Sequence, residues 1–150
     1  MHNFDQLNLS SDSLKILKGL KFENPTPIQE KVIPVALQGN DVMGTAQTGS
    51  GKTLSYILPI VEKLRKNVND KFLILAPTRE LSEQVFSVAK IFLGHGKPFK
   101  AINLIGGKGI FSQINQLKKN PQIIIGTPGR INDLLERKSF SLSKCSIVVL

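Results

Sequence analysis

The residues best suited to chemistry form one run, Ala46-Gln47-Thr48-Gly49-Ser50-Gly51-Lys52-Thr53. Gly49 and Gly51 permit a curled backbone whose successive N–H groups point inward at an anion. The Lys52 ammonium suits the β- and γ-phosphates of a nucleotide, and the Thr53 hydroxyl suits a Mg²⁺ ion held with them. Ala46 stands where the generic phosphate-loop pattern begins with glycine. Ahead of the run, Asp41–Thr45, with Val42 and Met43, reads as a short strand. Behind it, Leu54, Ile57, Leu58, Val61 and Leu64 recur at helical spacing. A glycine-rich loop between a strand and a helix is the setting in which such a run binds phosphate, and a helix opening at Lys52 adds its positive dipole end.

A second group of candidates is spread along the chain: Pro77-Thr78-Arg79, Gly106-Gly107 and Thr127-Pro128-Gly129-Arg130. Taken singly, each is ordinary turn chemistry, because Pro-Gly makes turns and Thr caps helices. Each also follows an apolar run of strand length. The expected strands are Phe72–Ala76, Phe99–Ile105, Ile123–Ile125 and Ser146–Leu150. Helical spacing follows the first three, from Leu81 to Phe92, at Ile110, Ile114 and Leu117, and at Ile131, Leu134 and Leu135. Uniformly apolar strands alternating with helices imply an α/β domain, with a mainly parallel sheet and helices on both faces. Ligands of such sheets gather beyond the carboxyl ends of the strands, where all these loops lie. Hydroxyls, guanidinium groups and helix starts on one rim suit a polyanion track.

Upstream, Ser10, Ser11 and Asp12 offer cap oxygens to a short helix bearing Leu14, Ile16, Leu17 and Leu20. Thr26 caps a second helix that starts at Pro27, ends at Gly39 and contains Pro34, which should kink it. Gln29 stands three residues after Thr26, as in a capping box, and Phe22 suits a core. A ring and an amide just ahead of a phosphate loop equally suit a purine, by stacking and by hydrogen bonds to its edge. The residues leave both readings open.

Composition is that of a globular chain of 150 residues, one domain's worth, with a net charge of +9. From Glu83 to Asp133 no acidic residue intervenes, while Lys90, Lys97, Lys100, Lys108, Lys118, Lys119 and Arg130 fall in that interval. Such a face suits nucleic acid, or is a solvated surface; charge alone leaves the two open. Met1–Asp5 lacks the basic start and apolar run of a signal peptide, and no apolar run reaches membrane-spanning length. Cys145, the single cysteine, is expected to be a buried inert thiol with no disulfide partner, consistent with a reducing, cytoplasmic setting. His2 and His95 have no cysteine or carboxylate cluster about them, and Gly94-His95-Gly96 reads as a turn.

Taken together, these residues resemble the N-terminal RecA-like lobe of the DEAD-box RNA helicases, from Phe4 to Leu150. Phe22 through Pro25-Thr26-Pro27-Ile28-Gln29 is similar to the family's Q motif, and Phe4 to the aromatic preceding it. Ala46 to Thr53 resembles motif I, Pro77-Thr78-Arg79-Glu80-Leu81 motif Ia, Gly106-Gly107 the GG element and Thr127-Pro128-Gly129-Arg130 motif Ib. The resemblance implies a P-loop, RecA-like fold and an ATP- and Mg²⁺-dependent enzyme acting on RNA. By it Phe22 stacks on adenine, Gln29 reads its edge, and Ala46, Gln47, Thr48, Gly49, Ser50, Gly51, Lys52 and Thr53 hold phosphates and metal. Pro77, Thr78, Arg79, Gly106, Gly107, Thr127, Pro128, Gly129 and Arg130 grip the RNA backbone. It further implies a Q-motif region over residues 1–30, a P-loop core over 31–150, and a cytoplasmic, monomeric protein.

Lys21 and Ser82 depart from the family pattern, which commonly has glycine and alanine there. The family strand matching Ile147–Leu150 runs into Asp-Glu-Ala-Asp, beyond the last residue of this chain. Without those carboxylates and a second lobe, the 150 residues alone are expected to bind ATP weakly and to turn it over little, and to leave a sheet edge exposed.

Overall fold

Capping and periodicity fix the first helices. Ser10 caps α1 (Ser11–Gly19), its side chain accepting from the Ser13 backbone N–H. Thr26 precedes α2 (Pro27–Leu37), with Pro27 at its first position, and Pro34 lies inside the helix. Lys52 opens α3 (Lys52–Lys66), which buries Leu54, Ile57, Leu58, Val61 and Leu64, the stripe expected from their spacing. In this computed structural model, which describes residues 3–94 and 99–150, the chain divides into two compact units, Met1–Lys66 and Asn67–Leu150. The expected turn at His95 lies outside the described residues.

Within the first unit, α2 lies against α3, and α1 is tied to α3 by polar contacts. The buried Glu62 carboxylate accepts from Ser13 Oγ at 2.5 Å and Ser10 Oγ at 2.8 Å, and Asp12 pairs with Arg65 at 2.8 Å. A short 3-10 turn, Phe4–Leu7, buries Phe4 as core.

The second unit is a four-stranded parallel sheet of β1 (Lys71–Leu75), β2 (Ala101–Leu104), β3 (Ile123–Gly126) and β4 (Cys145–Val149), ordered β2-β3-β1-β4. Its helices are α4 (Arg79–Leu93), α5 (Ile110–Leu117) and α6 (Pro128–Glu136). Register puts Leu73, Ile102 and Ile124 on one face, where Leu117, Ile131 and Leu134 of α5 and α6 cover them. Asn103 points to the other face and accepts from Ser82 of α4 at 2.6 Å. Serine in place of the commoner alanine therefore has a partner on β2.

Two expectations need correction. Asp41–Thr45 is not a strand: it is exposed, Met43 almost fully, and among the described residues no ladder pairs it. Strand propensity cannot supply a neighbour, and without a ladder an extended segment has no regular hydrogen bonding. Cys145 is half-buried rather than buried, because β4 pairs with β1 alone and alternates between half-buried and exposed positions. Burial pushes its thiol pKa up, partly offset by hydrogen bonds with the Ile147 and Leu73 backbone.

Candidate nucleotide and polyanion sites

In the first unit the phosphate loop is built as its glycines suggest. Gly49 and Gly51 have φ of +81° and +84°, the left-handed region, and both precede the first turn of α3. Gly51 has a second reason to lack a side chain. A Cβ there would collide with the Gln29 amide and lie 3.3 Å from Thr26 Oγ1. Lys52 Nζ donates to the loop's own carbonyls, Ala46 O and, at 2.7 Å, Gln47 O. Ser50 Oγ is buried with no hydrogen-bond partner. Leaving a buried hydroxyl unpaired costs about 1–3 kcal/mol, and an anion rich in oxygens supplies the missing acceptor at Ser50. The loop residues thus fit a phosphate group. Thr53, half-buried, is hydrogen-bonded to Tyr56, whose phenol is pushed up by burial and held back by that bond.

Gln29 does more than either sequence reading required of it. It is 3% exposed; its Oε1 accepts from the Thr26 backbone N–H at 3.0 Å, and its Nε2 donates to Gly51 O at 3.0 Å. The amide closes the capping box and ties α2 to the phosphate loop at once. One N–H of Nε2 remains for a purine edge. Phe22 is 47% exposed, so its ring is available for stacking. It follows Lys21, whose φ is +60° at the end of α1, with Phe22 N donating to Leu17 O and Lys21 N to Lys18 O. That left-handed helix end is the physical reason glycine suits this position.

In the second unit the loops after β1, β2 and β3 converge. Pro77, Thr78, Arg79, Glu80, Gly106, Thr127, Gly129 and Arg130 line one open cleft of about 630 Å³. Gly107 and Pro128, expected with them, are outside its lining. Two helices begin here. Thr78 caps α4 by accepting from Leu81 N at 3.2 Å, and Thr127 precedes α6 with no such bond, leaving its hydroxyl uncommitted as a cap. Both N-termini turn backbone N–H groups and positive dipole ends toward the cleft. The Arg79 guanidinium lies against the glycine pair: a Cβ on Gly106 or Gly107 would come within 2.8 Å of its nitrogens. Arg130 Nη1 donates to Gln113 Oε1 at 3.0 Å and to Lys108 O at 3.2 Å, and Lys108 pairs with Glu83 at 2.8 Å. Two guanidinium groups, a hydroxyl and two helix starts on one concave face are the groups that hold phosphodiesters.

Sequence reasoning passed over Gln113. Gln113 had a legible signal, a polar residue in register with the apolar positions Ile110, Ile114 and Leu117. Among the described residues no group of three or more His, Cys, Asp or Glu side chains is placed to hold a metal, and no helix is long and apolar enough to cross a membrane.

Residues 26–150 match the family model for DEAD/DEAH box helicases. The chain is 44% identical over 148 residues to the DEAD-box ATP-dependent RNA helicase CshA of Bacillus subtilis, covering 98% of this chain and 30% of that relative. It is also 44% identical to the ATP-dependent RNA helicase CshA of Listeria monocytogenes, over 100% of this chain and 29% of that relative. The chain thus spans about 30% of the length of these curated relatives. Among solved structures it is similar to a DEAD box protein from the hyperthermophile Methanococcus jannaschii, with a TM-score of 0.88 and 42% identity over 95% of this chain and 39% of that one. A hypothetical ATP-dependent RNA helicase from Sulfolobus tokodaii gives a TM-score of 0.85 and 36% identity over 93% of this chain and 40% of that one. The RecA-like α/β architecture expected from the sequence is the fold of these neighbours.

Proposed function

The chain belongs to the DEAD/DEAH box helicase family, and we propose that it supplies the ATP-binding site and part of the RNA-binding surface of an ATP-dependent RNA helicase. In the first unit, the backbone of Ala46–Gly51 cradles the phosphates and Ser50 Oγ donates to one of their oxygens. Lys52 exchanges its bonds to Ala46 O and Gln47 O for bonds to the β- and γ-phosphates. Thr53 would offer its hydroxyl to a Mg²⁺ ion bound with the nucleotide, which would neutralise phosphate charge there. Phe22 stacks on the adenine, and the spare N–H of Gln29 donates to its edge. Bound ATP supplies the phosphoryl group whose transfer to water drives the cycle; the residues of this chain bind and orient it.

In the second unit, Thr78, Arg79, Gly106, Thr127, Gly129 and Arg130 hold consecutive phosphates of a single RNA strand, with Pro77, Gly107 and Pro128 shaping the loops that carry them. The proposed organisation is a Q-motif region over residues 1–30 and a P-loop core over 31–150, in a monomeric cytoplasmic protein. The observation that carries the RNA reading is the convergence of two helix N-termini and two guanidinium groups on one open cleft.

Its test is the salt dependence of binding to a single-stranded oligoribonucleotide. Replacing Arg79 and Arg130 together by alanine removes two phosphate contacts. The slope of log affinity against log salt is expected to fall by about 1.4, at about 0.7 per phosphate on a single strand. An unchanged affinity and slope would return these loops to turn chemistry.

A further inference from the structure

Gln113 is 2% exposed on the apolar side of α5, and a buried amide is tolerated only where both its ends are paired. Its Nε2 donates to the carbonyl of Ile105 at 2.8 Å, and its Oε1 accepts from Arg130 Nη1 at 3.0 Å. Ile105 is the residue just past β2 that leads into Gly106-Gly107, and Arg130 stands in the first turn of α6. One side chain therefore links two of the loops that form the cleft. The two hydrogens of Arg130 Nη1 match the two acceptors it has, Gln113 Oε1 and Lys108 O. The Nη2 and Nε donors of the same planar group are left for the cleft that Arg130 lines.

We propose that Gln113 is a positioning residue for RNA binding, holding the Nη1 edge of Arg130 so that its remaining donors meet a phosphodiester. The inference rests on the RNA reading of the cleft. Its physical content is preorganisation. An arginine freed from its acceptor regains rotamer freedom that each binding event must remove, whereas a guanidinium already fixed on one edge loses little. Gln113 touches no RNA itself. It acts through Arg130, and its bond to Ile105 O anchors the amide that does so.

The test uses the full-length protein carrying Gln113→Met, Arg130→Ala or both, with fluorescence anisotropy of a labelled single-stranded oligoribonucleotide and thermal unfolding of each variant. Methionine matches glutamine in length but neither donates to Ile105 O nor accepts from Arg130. Gln113→Met is expected to weaken RNA binding about fivefold in the wild-type background. It should have no further effect once Arg130 is alanine, although it lowers the melting temperature in both backgrounds. Equal weakening in both backgrounds would reduce Gln113 to a structural role, and no weakening in the first would also overturn the inference. Unchanged affinity in Arg130→Ala alone would sink the RNA reading of this arginine, and the inference with it. Should Gln113→Met fail to fold, Gln113→Asn decides, because its amide is polar but too short to reach Arg130. Weakening confined to the background that keeps Arg130 supports the proposal, and equal weakening in both backgrounds or none in the first refutes it.

Discussion

Gln29→Glu separates the two tasks of the amide that joins α2 to the phosphate loop. The new carboxylate keeps the acceptor for the Thr26 N–H, which Gln29 Oε1 now meets at 3.0 Å. A negative charge in the first turn of a helix even favours that end by about 0.3–1 kcal/mol. On the other side it replaces a donor by an oxygen facing Gly51 O, where the present bond is 3.0 Å. A buried carbonyl left without its donor costs about 1–3 kcal/mol, so stability should fall by about 1–2 kcal/mol net. That corresponds to roughly 2–8 °C in melting temperature for a chain of this size. Nucleotide binding should suffer more. Replacing the amide's remaining N–H by an acceptor beside the phosphate loop costs about 2 kcal/mol, or some thirtyfold in affinity. The assay is anisotropy of a fluorescent ATP analogue alongside thermal unfolding, with Gln29→Ala as the uncharged comparison. Wild-type affinity in Gln29→Glu would refute the claim that the remaining N–H of this amide meets the nucleotide.

Other perturbations test separate parts of the account. Lys21→Gly should raise stability by about 1 kcal/mol, since a φ of +60° strains lysine and suits glycine, and Tm by calorimetry checks it. Phe22→Ala should erode the preference for adenine over guanine nucleotides with little loss of stability, because the ring is half exposed; competition binding of ATP and GTP reads it. Cys145, whose thiol pKa is raised by burial, should react with iodoacetamide at a higher pH in the folded protein than after unfolding. By linkage, a raised folded pKa adds stability that is complete below the unfolded thiol value and is lost as pH rises through the folded one. Alkylation curves that coincide before and after unfolding would remove that argument.

Legibility of this molecule in its sequence followed how local each determinant is. The phosphate loop could be read because glycine, lysine and threonine act within eight residues of one another, and Gly49 and Gly51 have the backbone that only glycine adopts freely. The rim of the cleft was legible at one remove. Apolar strands with helical connections imply parallel order, and parallel order puts every post-strand loop on one edge. Asp41–Thr45 was misread because a strand is defined by its neighbour, which composition does not reveal. Cys145 was misread for a related reason, since its exposure depends on β4 being at the edge of the sheet. Lys21 stood out only as a departure from a pattern, and its meaning came from the left-handed end of α1. Gln113 escaped because helical periodicity counts apolar positions and passes over a glutamine among them, although a polar residue on a buried stripe is itself a sign of a specific partner.

The most direct measurement is steady-state ATP hydrolysis by the full-length protein, with and without single-stranded RNA, compared with Lys52→Ala. The account predicts RNA-stimulated turnover of the order of 1 s⁻¹ and a loss of at least about a hundredfold when the lysine is removed. Turnover indifferent to both RNA and Lys52 would contradict it.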